Sequence, residues 1–116
     1  MTVLDAQALA GLTTLDPTGA NRLVQRVLAT YQGSLGKLMR QMSDARGSGD
    51  HAGVRLAAHT LKSSSASIGA LELSRLCSAV EQAVREGQHD AVPALVDELQ
   101  AEARRVDRAV QAMLAS

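Results

Sequence analysis

Apolar side chains recur at three- and four-residue steps along almost the whole chain, the pattern of helices that bury one face. Val24, Val27, Leu28, Tyr31, Leu35, Leu38 and Met42 form one stripe, which ends before Gly47. Val54, Ala57, Ala58, Leu61, Ser65 and Ile68 form the next, and Leu73, Leu76, Cys77, Val80 and Val84 a third that stops near Gly87. The last, Val92, Val96, Leu99, Ala103, Val106, Val110 and Met113, approaches a heptad seam. A short segment at about residues 4 to 12, with Leu4, Ala8, Leu9 and Leu12, precedes them. Strand signals are absent. Four long helices with short connections pack most simply up-down-up-down, so an all-α fold is expected: an antiparallel four-helix bundle with a short extra N-terminal helix.

The punctuation agrees with that reading. Gly-Ser-Gly-Asp at 47–50 and Gly-Gln-His-Asp at 87–90 are too short for inter-domain linkers, so residues 1–116 read as one domain. Asp16-Pro17 looks like an N-cap followed by proline at the first position of the second helix, Asp50 a cap for the third and Asp90 a cap for the last. Pro93 is then tolerated because it lies in the first turn. Gly69 weakens the third helix. Gly33 and Gly36 inside the second cost about 1 kcal/mol each relative to Ala, which a close helix–helix approach would explain.

With no Phe, no Trp and one Tyr, the core is filled by Ala, Leu and Val, and no aromatic platform exists for stacked bases. Twelve acidic residues balance twelve Lys and Arg, without a long basic run, which argues against nucleic acid or a charged membrane surface as partner. The start, Met-Thr-Val-Leu-Asp, lacks the features of a signal peptide, and no stretch approaches the roughly 20 apolar residues of a membrane span, so a cytoplasmic address is expected. Cys77 is alone and reads as a small core residue. No metal or cofactor is expected: the three His do not share a face, and there is no Gly-rich phosphate loop, ATP-binding pattern or acidic Mg²⁺ cluster.

The third helix carries the candidate chemistry. With Val54 at the centre of the buried face, His59 falls roughly 140° away, on an outward stripe with Arg55, Lys62, Ser63 and Ala66. From His51 to Leu71 there is no Asp or Glu, so Arg55 and Lys62 are the only fixed charges of the segment. Lys62, at i+3, can reach a group attached to the His59 ring. An exposed neutral imidazole has a lone pair able to attack phosphorus. The small residues Ser63, Ser64, Ser65, Ala66 and Ser67 leave room for another protein to approach.

The string Ala58-His59-Thr60-Leu61-Lys62-Ser63-Ser64-Ser65-Ala66-Ser67-Ile68-Gly69-Ala70-Leu71 closely resembles the signature of histidine-containing phosphotransfer (HPt) domains. Leu73-Ser74-Arg75-Leu76-Cys77 and Glu81 continue the resemblance as that family's next helix does. The resemblance implies that His59 accepts a phosphoryl group, usually at Nε2 in this family, from a receiver-domain aspartate and donates it to another receiver. It implies that Lys62 helps neutralise that group. Such a domain is a phosphotransfer intermediate without ATP-dependent kinase activity, and it works with response-regulator receivers and a hybrid sensor histidine kinase. The receiver would supply the carboxylates and Mg²⁺ for transfer. Ser63 departs from the Gly that many members have there. Arg55, Ser63 and Ala66 are expected to border the docking surface, with Leu9 and Leu12 as apolar contacts, and the domain to be a monomer. The alternative is a helical module of this shape that regulates a partner by binding alone. His51 and His89 read as polar residues at helix starts, and Arg104, Arg105 and Arg108 as a solvated face.

Overall fold

The structure, a computed structural model, describes residues 3–15, 17–19 and 22–115, with the backbone alone of Leu12. Five helices follow one another: α1 (Ala6–Thr14), α2 (Leu23–Gly47), α3 (His51–Ser67), α4 (Leu71–Arg85) and α5 (Val92–Ala115), with a 3₁₀ turn at His89–Ala91. No strand occurs among the described residues. Helices α2 to α5 pack in a ring in which each touches the next and α5 returns to α2, giving a body of 48 × 22 × 21 Å. The edge between α3 and α4 therefore lies across the bundle from the edge between α5 and α2.

The stripes expected to face inward do so. Leu61, Leu99 and Val106 are fully buried and Leu76 nearly so, in a core that also takes in Leu28, Met42, Val80 and Val96. Two hydroxyls meet inside it: Tyr31 Oη and Ser65 Oγ lie 2.8 Å apart, so neither polar group is left unsatisfied. Cys77 is buried as well, and burial pushes its thiol up to about 12, with the Glu81 charge adding to the effect; the residue is an inert filler.

The helix starts follow the capping signals of the sequence at α3 but not at α2 or α5. Asp50 caps α3 as expected, its Oδ1 accepting the Gly53 N–H at 2.9 Å. The second helix begins later than the Asp-Pro pair suggested. Pro17 lies in a turn, Asp16 is outside the described residues, and α2 starts at Leu23. The reason is backbone handedness: Gly19 has φ +69° and Arg22 has φ 53°, ψ 41°, and a right-handed helix cannot run through such residues. Nor does Asp90 cap α5. The chain enters that helix through the 3₁₀ turn, where the His89 carbonyl accepts the Val92 N–H. Pro93 does fall in the first turn of α5.

The connection between α3 and α4 anchors the N-terminal segment. Gly69 has φ +84°, and its carbonyl accepts the Asp5 N–H at 2.7 Å. A Cβ on Gly69 would stand 2.6 Å from the Asp5 nitrogen, so only glycine fits. Asp5 in turn caps α1, its Oδ2 accepting the Ala8 N–H, and Leu4 is buried in the core. The glycines of α2 do not serve a close helix contact. A Cβ on Gly33 would meet nothing within 4 Å, and one on Gly36 would meet only Arg40 of the same helix.

Candidate functional site

His59 projects from the outer face of α3, its side chain 59% exposed, as its helical phase requires. The ring is nonetheless held from one side. Its Nδ1 lies 2.9 Å from Oε2 of Glu81, a residue of α4 whose side chain is only 4% exposed. The other oxygen, Oε1, accepts from Lys62 Nζ at 3.0 Å, and Oε2 also accepts from Arg85 Nη2 at 3.0 Å. Ser74 Oγ donates to the Lys62 carbonyl at 3.0 Å and fastens the two helices at this level.

The acid-free segment of α3 is thus not an acid-free site. A carboxylate comes from the following helix, and Lys62 is tied to it rather than standing beside the ring as a lone cation. Glu81 belongs to the buried side of α4, with Cys77 and Val80. Burial on its own would raise its carboxyl, but hydrogen bonds from Lys62 and His59, and the charges of both, outweigh it and hold the group below the ordinary carboxylate value. An ionised carboxylate only accepts, so Nδ1 of His59 is the protonated nitrogen. In the neutral ring the lone pair is then on Nε2, which makes no hydrogen bond within the described residues.

The neighbours of His59 divide into two groups. Ser63 and Ala66 are exposed and Arg55 is half-buried, all on the outward stripe. The serine run mostly bonds its own helix: Ser64 Oγ to the Leu61 carbonyl and Ser67 Oγ to the Ser63 carbonyl, while Ser65 faces inward to Tyr31. Leu9 of α1 is half-buried against the core, and the side chain of Leu12 is outside the described residues. A leucine that sequence reasoning passed over, Leu56, is 62% exposed one turn before His59. Its signal was available, since it falls roughly 160° from Val54 on the helical wheel. Glu81 also had one: an acid beside Val80 in an apolar stripe, with Arg85 one turn on.

The other histidines meet each other. The rings of His51 and His89, from α3 and the 3₁₀ turn, have centroids 3.9 Å apart at a tilt of 39°. Among the described residues no group of three or more His, Cys, Asp or Glu is arranged to hold a metal ion, and no helix is long and apolar enough to cross a membrane.

Comparison with known proteins points in one direction. The family model described as the Hpt domain matches residues 26–109. The fold is similar to the crystal structure of histidine-containing phosphotransfer protein B (HptB) from Pseudomonas aeruginosa PAO1, with a TM-score of 0.87 and 25% sequence identity, over 97% of this chain and 95% of that chain. No curated protein sequence matches the chain.

Proposed function

The chain belongs to the Hpt domain family, whose members carry phosphoryl groups in phosphorelays, and from that premise we propose that its acceptor is Nε2 of His59. The observation that carries this reading is the hydrogen bond from Nδ1 to the buried Glu81 carboxylate, which fixes the tautomer and turns the free lone pair outward.

The Nε2 lone pair attacks the phosphorus of an aspartyl phosphate on a receiver domain. The N–P bond forms, the P–O bond to the receiver carboxyl breaks, and the aspartate leaves as a carboxylate. The phosphorylated ring keeps its Nδ1 proton and becomes cationic, and Glu81 stabilises that charge as it develops. Lys62, one turn from His59 and half-exposed, exchanges its contact with Glu81 for the incoming phosphoryl oxygens, while Arg85 remains on Glu81. Passing the group to a second receiver is the reverse of these steps. The receivers and a hybrid sensor kinase are the partners on this reading, and the domain is a cytoplasmic monomer that performs no ATP-dependent phosphorylation. The receiver docks on the outward stripe of Arg55, Ser63 and Ala66, with Leu56 as an apolar contact and Leu9 of α1 at the margin.

The test is incubation with a phosphorylated receiver domain, followed by detection of acid-labile, alkali-stable phosphate. His59→Gln should take up none while keeping its helical content; His51→Gln and His89→Gln should take up the normal amount. Labelling retained in His59→Gln would show another acceptor.

A further inference from the structure

On the side of the bundle away from His59, α2 and α5 are joined at the surface by polar rungs. Gln32 reaches Asp107 and Gln111 near one end, and toward the other Ser43 meets Gln100 and Arg46 meets Asp97. Between these the rungs stop. Gly36 has no side chain to extend and Ala103 only a methyl, and a groove opens over Leu35 and Met39. Three guanidiniums border it, Arg40 from α2 with Arg104 and Arg108 from α5, and none lies within ion-pair distance of a carboxylate among the described residues.

We propose that this groove docks an acidic helical segment of a partner protein. An apolar residue of that segment would lie on Met39, the half-buried side chain of the floor, and against the aliphatic stems of the bordering arginines, in the manner of a helix in a groove, Leu35 and Ala103 beneath being almost wholly covered already. Arg104 and Arg108 are one turn apart on α5, so their Cβ atoms have roughly the same 5–6 Å spacing as those of acidic residues at i and i+4 of a bound helix, and two such pairs can face each other in register. Asp44 and Asp107 also border the groove, Asp107 already accepting from Gln32. Those two aspartates disfavour a continuous polyanion such as a nucleic acid, but not a peptide whose carboxylates are spaced to meet arginines. Gly36 then has a purpose that offsets its cost to the helix: without a Cβ it lets the Arg40 guanidinium lie low against the groove wall, its Nη1 3.5 Å from where that Cβ would stand. Because the groove lies across the bundle from the α3–α4 edge, a partner seated there leaves His59 free for a receiver.

The probe is a stapled helical peptide of about 16 residues with a Leu face flanked by Glu at i,i+4, beside a twin in which Gln replaces Glu. Titration into the ¹⁵N-labelled protein should give saturable shifts confined to residues 35–44 and 100–108. Affinity should fall by about tenfold or more for the Gln twin and for the double variant Arg104→Glu/Arg108→Glu. Gly36→Leu, which fills the groove and keeps every charge, should weaken binding too, and phosphoryl uptake at His59 should be normal in both variants. The proposal is overturned by absent saturation, by equal binding of the Gln twin, or by shifts that map to His59. A dimer in ultracentrifugation that the Arg104→Glu/Arg108→Glu pair disperses would make a second copy of the chain the occupant and overturn it as well.

Discussion

The hydroxyl of Tyr31 lies 2.8 Å from that of Ser65 inside the bundle, joining α2 to the turn of α3 that follows His59 and Lys62. Both residues are buried, so each hydroxyl depends on the other. Tyr31→Phe should cost about 1–3 kcal/mol, because it leaves the Ser65 hydroxyl without its partner. The double variant Tyr31→Phe/Ser65→Ala should lose less than the sum of the single losses. Urea denaturation of the four proteins measures the coupling; strict additivity would mean the bond contributes nothing.

Tyr31 is the only tyrosine of a chain that has no tryptophan, so its ionisation can be read directly by absorbance. Burial raises the phenol to about 12, the Ser65 hydrogen bond pulling back and a coulombic effect from Cys77 adding to the rise. A raised folded value means that the stabilisation is complete below the unfolded value of about 10 and is lost as pH climbs toward 12. Phenolate absorbance should therefore appear together with loss of helical circular dichroism, well above pH 10. Titration near 10 with the helices intact would contradict the burial.

Glu81 has the opposite linkage. Its folded value is lowered, so its contribution is present above the unfolded value of about 4.3 and disappears as pH falls through the folded one. Glu81→Gln should be less stable than the natural protein at pH 7, and the gap should narrow as the pH is lowered through about 4 and below. Glu81→Ala should cost about 1.5–3 kcal/mol at neutral pH through the lost charge-assisted hydrogen bonds. Both variants should accept phosphate more slowly, Ala more than Gln, since the amide oxygen can still receive the Nδ1 proton. Denaturation midpoints across pH, paired with transfer rates, check the two effects separately.

The difference between Glu81 and His59 shows what the sequence could and could not convey. The outward direction of His59 follows from local helical phase, because Val54, Ala58 and Leu61 define the buried face of the same helix. Its partner stands 22 residues away on another helix, and only the packing of α4 on α3 brings the two within 2.9 Å. The bundle itself was legible because every stripe is long enough to repeat several times. The start of α2 was not, since nothing in the side chains of Gly19 to Arg22 announces a left-handed backbone at Arg22. The interrupted α2–α5 rungs likewise depend on register between two helices.

Gly69 is the point through which the N-terminal segment is fixed. Gly69→Ala places a Cβ within 2.6 Å of the Asp5 nitrogen at a φ that disfavours alanine. The expected result is release of α1 with the four-helix core intact, at a cost of more than about 1 kcal/mol. Hydrogen exchange should accelerate at residues 5–14 and remain slow in α3 and α4. Unchanged protection in α1 would show that the segment is held by its other contacts alone.

On the proposed reading, a receiver reaches His59 across the outer face of α3. Its aspartate must come within bonding distance of Nε2, which demands a low surface around the ring. Ser63 is exposed one turn beyond His59, and its hydroxyl is not drawn into the helix as those of Ser64 and Ser67 are. Ser63→Gly should transfer at the natural rate, with at most about 1 kcal/mol lost from helix propensity. Ser63→Arg and Ser63→Gln should fold normally, because the position is exposed, and block transfer by filling the space over which the receiver approaches. A small donor such as phosphoramidate separates steric exclusion from damage to the nucleophile: it should still phosphorylate His59 in the Arg and Gln variants. Receiver-dependent transfer that is as fast in Ser63→Arg as in the natural protein would place docking elsewhere, even with His59 as the acceptor.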